Sequence, residues 1–280
     1  MPDAFSYCAE LIRKADRDRF VATLYAPARH RNALYALYAF NSEVARVRDV
    51  AREALPGEIR LQWWREVLQG ERDGEARASP VAAAVLDTVQ KHLLPIGEIL
   101  DLIEARRFDL YNEPMLTIAQ LEDYAVKTSS TVIKMAAQIL GTDGADASVA
   151  ARPGGVAIAI TGLLAVLPSH TARGQLFLPL ELLDRHGITA ADVFARVRSP
   201  SLNAAIAELR GLARDHLKAA AEMLDGLPRQ ALPAFLHLAP VRRWLDRLER
   251  SDVFSPALLS PLQRQWLIWR AARRPDRLAR

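Results

Sequence analysis

The chain has 280 residues, half of them apolar and a quarter charged, with a formal net charge of +4. That length suits one large domain or two small ones, and the composition is that of a soluble globular protein with ample material for a core. So mild a basic surplus does not point to nucleic acid, and the lone cysteine, Cys8, excludes an intrachain disulfide and a multi-cysteine metal site, which fits a reducing compartment.

Apolar residues recur with helical spacing almost throughout, and no strand-like alternation lasts more than a few residues. Phe5, Cys8, Leu11 and Ile12 mark a first helix. Pro27 can open the next at its first turn, where a missing N–H costs nothing. Leu34, Leu37, Tyr38, Val44 and Val47 continue its apolar stripe, with a stop expected before Pro56-Gly57. A third helix carries Leu61, Trp64 and Leu68 and ends at Gly70. The charged stretch from Gly70 to Ala78 reads as a loop, and Ser79-Pro80 as a cap followed by a first-turn proline.

Pro95 interrupts the pattern, which resumes from Ile96 to Leu110. Thr117 caps a longer helix, Ile118 to Leu140, that stops at Gly141. A small-residue loop follows, spanning Gly141 to Ala147 and Pro153-Gly154-Gly155. The apolar stretch from Gly155 to Leu167 is too short to cross a bilayer and reads as a core helix ended by Pro168. Short helical pieces fill Pro168 to Pro200. Leu202–Leu224 and Pro228–Leu248 read as strong helices, and a last helix runs from Pro261 to about Ala272. Short loops without an obvious linker predict one compact all-α domain over 1–280.

The opening residues, Met1 to Phe20, mix Asp3, Glu10, Asp16 and Asp18 with bases around no long apolar core. Neither a secretory signal nor a transit peptide is expected there. Near the other end, Arg270, Arg273, Arg274, Arg277 and Arg280 follow Trp266 and Trp269, a combination suited to an anionic membrane surface.

Leu34 through Phe40, Leu102 through Leu110, Leu121 through Tyr124, Arg173 through Pro179 and Leu232 through Leu245, taken in that order, together resemble the squalene/phytoene synthase family. Leu34-Tyr35-Ala36-Leu37-Tyr38-Ala39-Phe40 is similar to the helix before that family's first aspartate motif. Leu102 through Leu110, ending Phe108-Asp109-Leu110, is similar to the segment that follows. Leu121-Glu122-Asp123-Tyr124 opens the next family helix. Arg173-Gly174-Gln175-Leu176-Phe177-Leu178-Pro179 resembles the stretch after the second motif, and Leu232-Pro233 through Trp244-Leu245 a late helix. The resemblance covers nearly the whole chain in order. It implies an all-α bundle of the isoprenoid-synthase type around a central cavity, and the joining of two prenyl diphosphates with loss of diphosphate. Magnesium held by carboxylates on two facing helices offsets the charge of the leaving group in such enzymes.

Those carboxylates are mostly missing. Aligned on Tyr38-Ala39-Phe40, the family's leading aspartate falls on Ala45 and its last on Asp49, with Arg46 and Arg48 between them. Aligned backwards from Leu178-Pro179, the second pair falls on Val166 and His170. Valine cannot bind magnesium, imidazole is a poor ligand for a hard cation, and Pro168 interrupts the helix that must present both ligands on one face. If a metal is held at all, Glu43 and Asp49 are the candidates, with Glu104 and Asp109 as further substitutes. Arg31 and Arg173 match basic positions near the family's diphosphate site and can hold an anion without metal. Tyr38, Asn41 and Glu43 are candidates to line the cavity, and His170 to touch a ligand in it. Trp63-Trp64 offers one inward ring.

Asn41, Glu43 and Ala45 after Phe40, together with Pro168-Ser169-His170, resemble the branch of the family related to the mitochondrial complex I assembly factor. The resemblance implies a non-catalytic protein assisting assembly of NADH:ubiquinone oxidoreductase through its subunits or assembly intermediates. No cofactor is then expected. The location expected is the bacterial cytoplasm, peripheral at the inner membrane, with an isoprenoid or lipid ligand as a further expectation. Two alternatives stay open: a magnesium-dependent head-to-head prenyltransferase, and a lipid-binding carrier.

Overall fold

The structure is a computed structural model that describes residues 3–51, 53–255, 259–275 and 278, so Arg277 and Arg280 of the basic tail lie outside the described residues. Helices account for all the regular structure among the described residues. α1 (Ala4–Ala15) is capped by Asp3, and Asp16 then caps α2 (Arg17–Thr23) by accepting from the Arg19 N–H, a break the apolar spacing did not reveal. After Pro27 come α3 (Ala28–Ala45) and the single turn α4 (Val47–Val50). α5 (Ala54–Gln69) ends at Gly70, whose φ of +80° is the left-handed conformation that glycine adopts without a Cβ penalty. The expected stop before Pro56-Gly57 comes at Ala51, where the backbone turns extended after an earlier break at Arg46, and Pro56 lies in the first turn of α5, where its missing N–H is harmless.

Within the charged stretch expected as a loop lies α6 (Asp73–Ala78), and α7 (Pro80–His92) starts on the Ser79 cap. α8 (Ile96–Arg106) tightens into a 3₁₀ turn, Arg107–Leu110. Thr117 caps α9 (Ile118–Ala125), which leads through a π turn, Val126–Ser130, into α10 (Thr131–Ile139). Threonine hydroxyls occupy carbonyls of that wider turn: Thr128 donates to Tyr124 O at 2.7 Å and Thr131 to Val126 O at 3.2 Å.

α11 (Gly144–Ala165) differs most from expectation, because it runs straight through Pro153-Gly154-Gly155. Proline forfeits one hydrogen bond there. Packing compensates: a Cβ on Gly155 would overlap the backbone of Ser130, and the Ser130 hydroxyl donates to Arg152 O at 2.8 Å. The helix is long and apolar enough to cross a membrane by length and composition, yet it packs against α10, the π turn and α15 (Pro200–Leu224) in the middle of the bundle. Between them come the short helices α12 (Leu167–Ala172), α13 (Leu180–Arg185) and α14 (Ala190–Phe194). The segment expected as one helix over Pro228–Leu248 is two 3₁₀ stretches, Arg229–Ala234 and Leu236–Leu238, followed by α16 (Val241–Arg250), because Pro233 and Pro240 deny the α-helical hydrogen bonds. α17 (Pro261–Arg273) begins with a Ser260/Gln263 capping box.

A layer of α1, α3 and α7 faces the α11–α15 pair across α10, which touches both. Trp64 is fully buried with its ring edge-on to Phe40 at 5.0 Å, while Trp63 stays partly exposed and donates to Glu75 at 2.8 Å. Burying one such ring contributes roughly 2–3 kcal/mol. Leu34, Leu37, Tyr38 and Phe40 fill the space along α3 with almost no exposure.

Candidate functional site

Both motif segments interrupt their helices in the same way. α3 ends at Ala45 and Arg46 adopts φ −97°, ψ 8°; α11 ends at Ala165 and Val166 adopts φ −105°, ψ 9°. A short helix follows each break, α4 carrying Asp49 and α12 carrying His170. The i, i+4 relation that puts two ligands on one helix face therefore does not run cleanly through either motif. Pro168 sits in the first turn of α12, and Val166 turns its side chain to solvent.

The two short helices are joined by charge. Arg173 Nη1 lies 2.6 Å from Asp49 Oδ1, bridging residues 124 apart in sequence. His170 lies in the same electrostatic neighbourhood. Burial pushes its imidazole down to about 4, the Arg173 guanidinium pushes the same way and Asp49 opposes, so the ring is neutral near pH 7. It packs on Phe177 at 4.6 Å between centroids, and Phe177 in turn meets Phe108 at 5.6 Å and Tyr124 at 5.9 Å.

Behind this aromatic group lies a polar knot that the spacing of the sequence did not reveal. Arg106 donates to Asp109 at 3.1 Å and to the Tyr124 hydroxyl at 2.7 Å, and that hydroxyl donates to Asp109 at 2.8 Å. Gln175, buried, donates to Asp109 O at 2.7 Å. Burial raises the Asp109 carboxyl, Arg106 and Tyr124 hold it back, and Asp49 adds to the rise. The Arg106–Asp109 half, at i, i+3, was open to sequence reasoning; Tyr124 and Gln175 come from distant elements.

The remaining candidates are dispersed. Glu43 reaches Arg60 of α5 at 3.5 Å, not the Asp49 pair, and burial raises its carboxyl against the pull of Arg60. Glu104 is tied to Arg107 at 2.8 Å and Arg65 at 3.4 Å. Arg31 donates to Ala26 O and Leu24 O, both at 2.9 Å, and so braces the turn before α3. It stands about 21 Å along α3 from Ala45, which separates it from Arg173 as a shared anion site. Tyr38 is buried, with the Arg19 guanidinium 5.3 Å over its ring, and burial raises its hydroxyl. Asn41 is buried, and its Oδ1 has no hydrogen-bond partner among the described residues.

Magnesium needs several carboxylate oxygens together. Here Glu43, Asp49, Glu104 and Asp109 are each paired with arginine. Among the described residues no three His, Cys, Asp or Glu side chains come together to hold a metal ion. The donor set does not fit the metal that this fold implies.

A helical bundle with two facing motif segments defines the class. A dehydrosqualene synthase crystal structure matches it with TM-score 0.81 at 19% identity, over 95% of this chain and 94% of that one. The squalene synthase of Alicyclobacillus acidocaldarius matches with TM-score 0.67 at 21% identity, over 96% and 93%. These likenesses establish the isoprenoid-synthase-type fold. The squalene/phytoene synthase profile matches residues 12–266, and the chain belongs to that family. Within it, the chain is 31% identical over 277 residues to "NADH dehydrogenase (ubiquinone) complex I, assembly factor 6" of Rattus norvegicus, covering 96% of this chain and 83% of that one. The protein of the same name from Homo sapiens is 31% identical over 254 residues, covering 90% and 76%. A Synechocystis 15-cis-phytoene synthase is 24% identical over 263 residues, covering 89% and 78%.

Proposed function

We propose that this chain is a non-catalytic squalene/phytoene synthase-like protein that assists assembly of respiratory complex I, acting from the cytoplasmic side as a peripheral protein at a bacterial inner membrane. The observation that carries the reading is the Asp49–Arg173 ion pair, which engages the one aspartate left at the motif positions while Ala45, Val166 and His170 occupy the rest. A cation bonded to that carboxylate repels a second cation from it, and diphosphate departure loses its electrophile. The likeness to relatives named as complex I assembly factors supports the choice of process, with complex I subunits or assembly intermediates as the partners. A retained isoprenoid or lipid is a finer part of the proposal, tested by extracting the purified protein and analysing the mass of what is released.

Two measurements test the main reading. Purified protein given farnesyl or geranylgeranyl diphosphate with Mg²⁺ is expected to yield no C30 or C40 product beside an active synthase control. A deletion strain is expected to lose NADH:ubiquinone oxidoreductase activity and to regain it with the wild-type chain or with Asp49→Asn. Product formation, or normal complex I in the deletion strain, sinks the proposal. Likeness to 15-cis-phytoene synthases along most of the chain favours the alternative of an active prenyltransferase, and the same product assay decides between them.

A further inference from the structure

Outside the motif region, α16 and α17 enclose a groove of about 800 Å³. One wall carries Arg243, Arg247 and Arg250, spaced i, i+4, i+7 on α16. None of these three guanidiniums makes a salt bridge among the described residues. The acids of the same helix turn away: Asp246, which also borders the groove, and Glu249 both pair with Arg214 of α15, at 3.5 and 2.5 Å.

Leu262 and Trp266 of α17 border the groove on the other side, and their stripe continues beyond it. Leu262, Trp266, Trp269 and Arg273 fall at i, i+4, i+7, i+11 on α17, one face of that helix, opposite the buried Leu267, Ile268 and Ala271. Leu262 is 78% exposed, Trp266 52% and Trp269 41%, three large apolar side chains in a row along one helix face. Arg270 lies 4.8 Å over the Trp266 ring and Arg273 4.4 Å over that of Trp269. Tyr25, exposed and within electrostatic reach of Arg273, extends the surface from the end of α2, which packs against α17.

We infer that the α16–α17 ridge is the surface by which this protein docks on an anionic membrane. The three α16 arginines meet lipid head groups, and Leu262, Trp266 and Trp269 enter the interfacial layer. Charge complementarity selects this occupant. Cations without salt bridges beside exposed indoles match a negatively charged interface, where basic side chains gain from the surface potential and aromatic rings settle at head-group depth. Leu262 and Trp266 border the groove and Trp269 continues their stripe along the exposed face of α17, so the arginines and the indoles open to solvent side by side. The inference rests on the peripheral placement proposed above and names its contact.

Sedimentation of the full chain with phosphatidylglycerol/phosphatidylcholine vesicles, against phosphatidylcholine alone, tests it. Binding is expected to the anionic vesicles and to fall at about 1 M salt, where the screening length is about 3 Å. The triple variant Arg243→Gln, Arg247→Gln, Arg250→Gln is expected to partition on the order of a hundredfold more weakly. Leu262→Ser with Trp266→Ser is expected to weaken binding with the charges intact. Circular dichroism and a thermal melt confirm that each variant is folded. Failure of the folded wild type to bind, or binding unchanged in both variants, overturns the inference. Vesicle binding by neither protein, combined with loss of complex I in a strain carrying the triple variant, assigns the groove to an acidic protein partner instead. The complex I phenotype of the deletion strain is read separately, so the docking surface and the assembly role fail independently.

Discussion

Removing the Asp49–Arg173 contact, singly and together, tests how the two motif ends are held. The variants are Asp49→Asn, Arg173→Gln and the pair. At 2.6 Å the contact is close, but the side chains are 44% and 51% exposed, so water and salt screen it. Pairs of that exposure contribute about 0.5–1 kcal/mol, and the coupling between the two variants is expected in that range at about 0.1 M salt. At about 1 M salt it is expected to fall to a few tenths of a kcal/mol. Urea unfolding of the four proteins supplies the cycle. His170 reports independently: because Arg173 helps hold its imidazole at about 4, Arg173→Gln is expected to raise the His170 midpoint in an NMR titration, whereas Asp49→Asn lowers it. A coupling above about 2 kcal/mol that ignores salt refutes the screened geometry. No coupling at low salt, with an unmoved His170, refutes the contact itself.

Acid stability carries a second signature. His170 titrates at about 4 in the fold against an ordinary 6.5, so the unfolded chain takes up the proton first and stability falls as pH drops through that window. Burial lifts Asp18 from 3.8 to about 6, which has the opposite sign, because the folded state is the one that binds the proton there. Between pH 7 and 4.5, His170→Gln is therefore expected to lose less stability than wild type, and Asp18→Asn to lose more; the reverse order in urea titrations contradicts both environments. Gly155→Ala is expected to cost about 2 kcal/mol or more through overlap with Ser130, whereas Gly162→Ala on the same helix, with nothing within 4 Å of the new methyl, is expected to stabilise by about 0.5–1 kcal/mol. Equal effects in thermal melts refute the close approach at Gly155. Arg264→Ala leaves the carboxylate of Asp18 without its 2.9 Å partner and is expected to cost about 2–3 kcal/mol, a loss that Asp18→Asn added to it recovers in part.

Local chemistry made several helix starts legible. Ser79-Pro80 and Thr117 are signals complete within a few residues, and the helices begin where those caps stand. What escaped depends on distant partners. Pro153-Gly154-Gly155 reads as a loop by propensity, but contact with Ser130 keeps it helical. The π turn at Val126–Ser130 leaves no mark in the apolar period. At the candidate site, the loss of carboxylates at Ala45, Val166 and His170 was visible by resemblance alone. The pairing of Asp49 with Arg173, and the knot of Arg106, Asp109, Tyr124 and Gln175, required the fold to bring separate segments together. Glu43 and Arg31 illustrate the converse: each sat near a motif in the sequence, and tertiary geometry gave them Arg60 and a turn backbone instead.

The Arg264–Asp18 contact closes the chain on itself across 246 residues. During synthesis α2 emerges early and must wait for almost the whole bundle before α17 can dock beside it. Contacts of such sequence separation form late, because the chain between them has to be ordered first. The tryptophan and arginine stripe of α17 is therefore assembled as one of the final acts of folding. A nascent or half-folded chain does not yet present it, so any interface that reads this stripe selects for completed molecules.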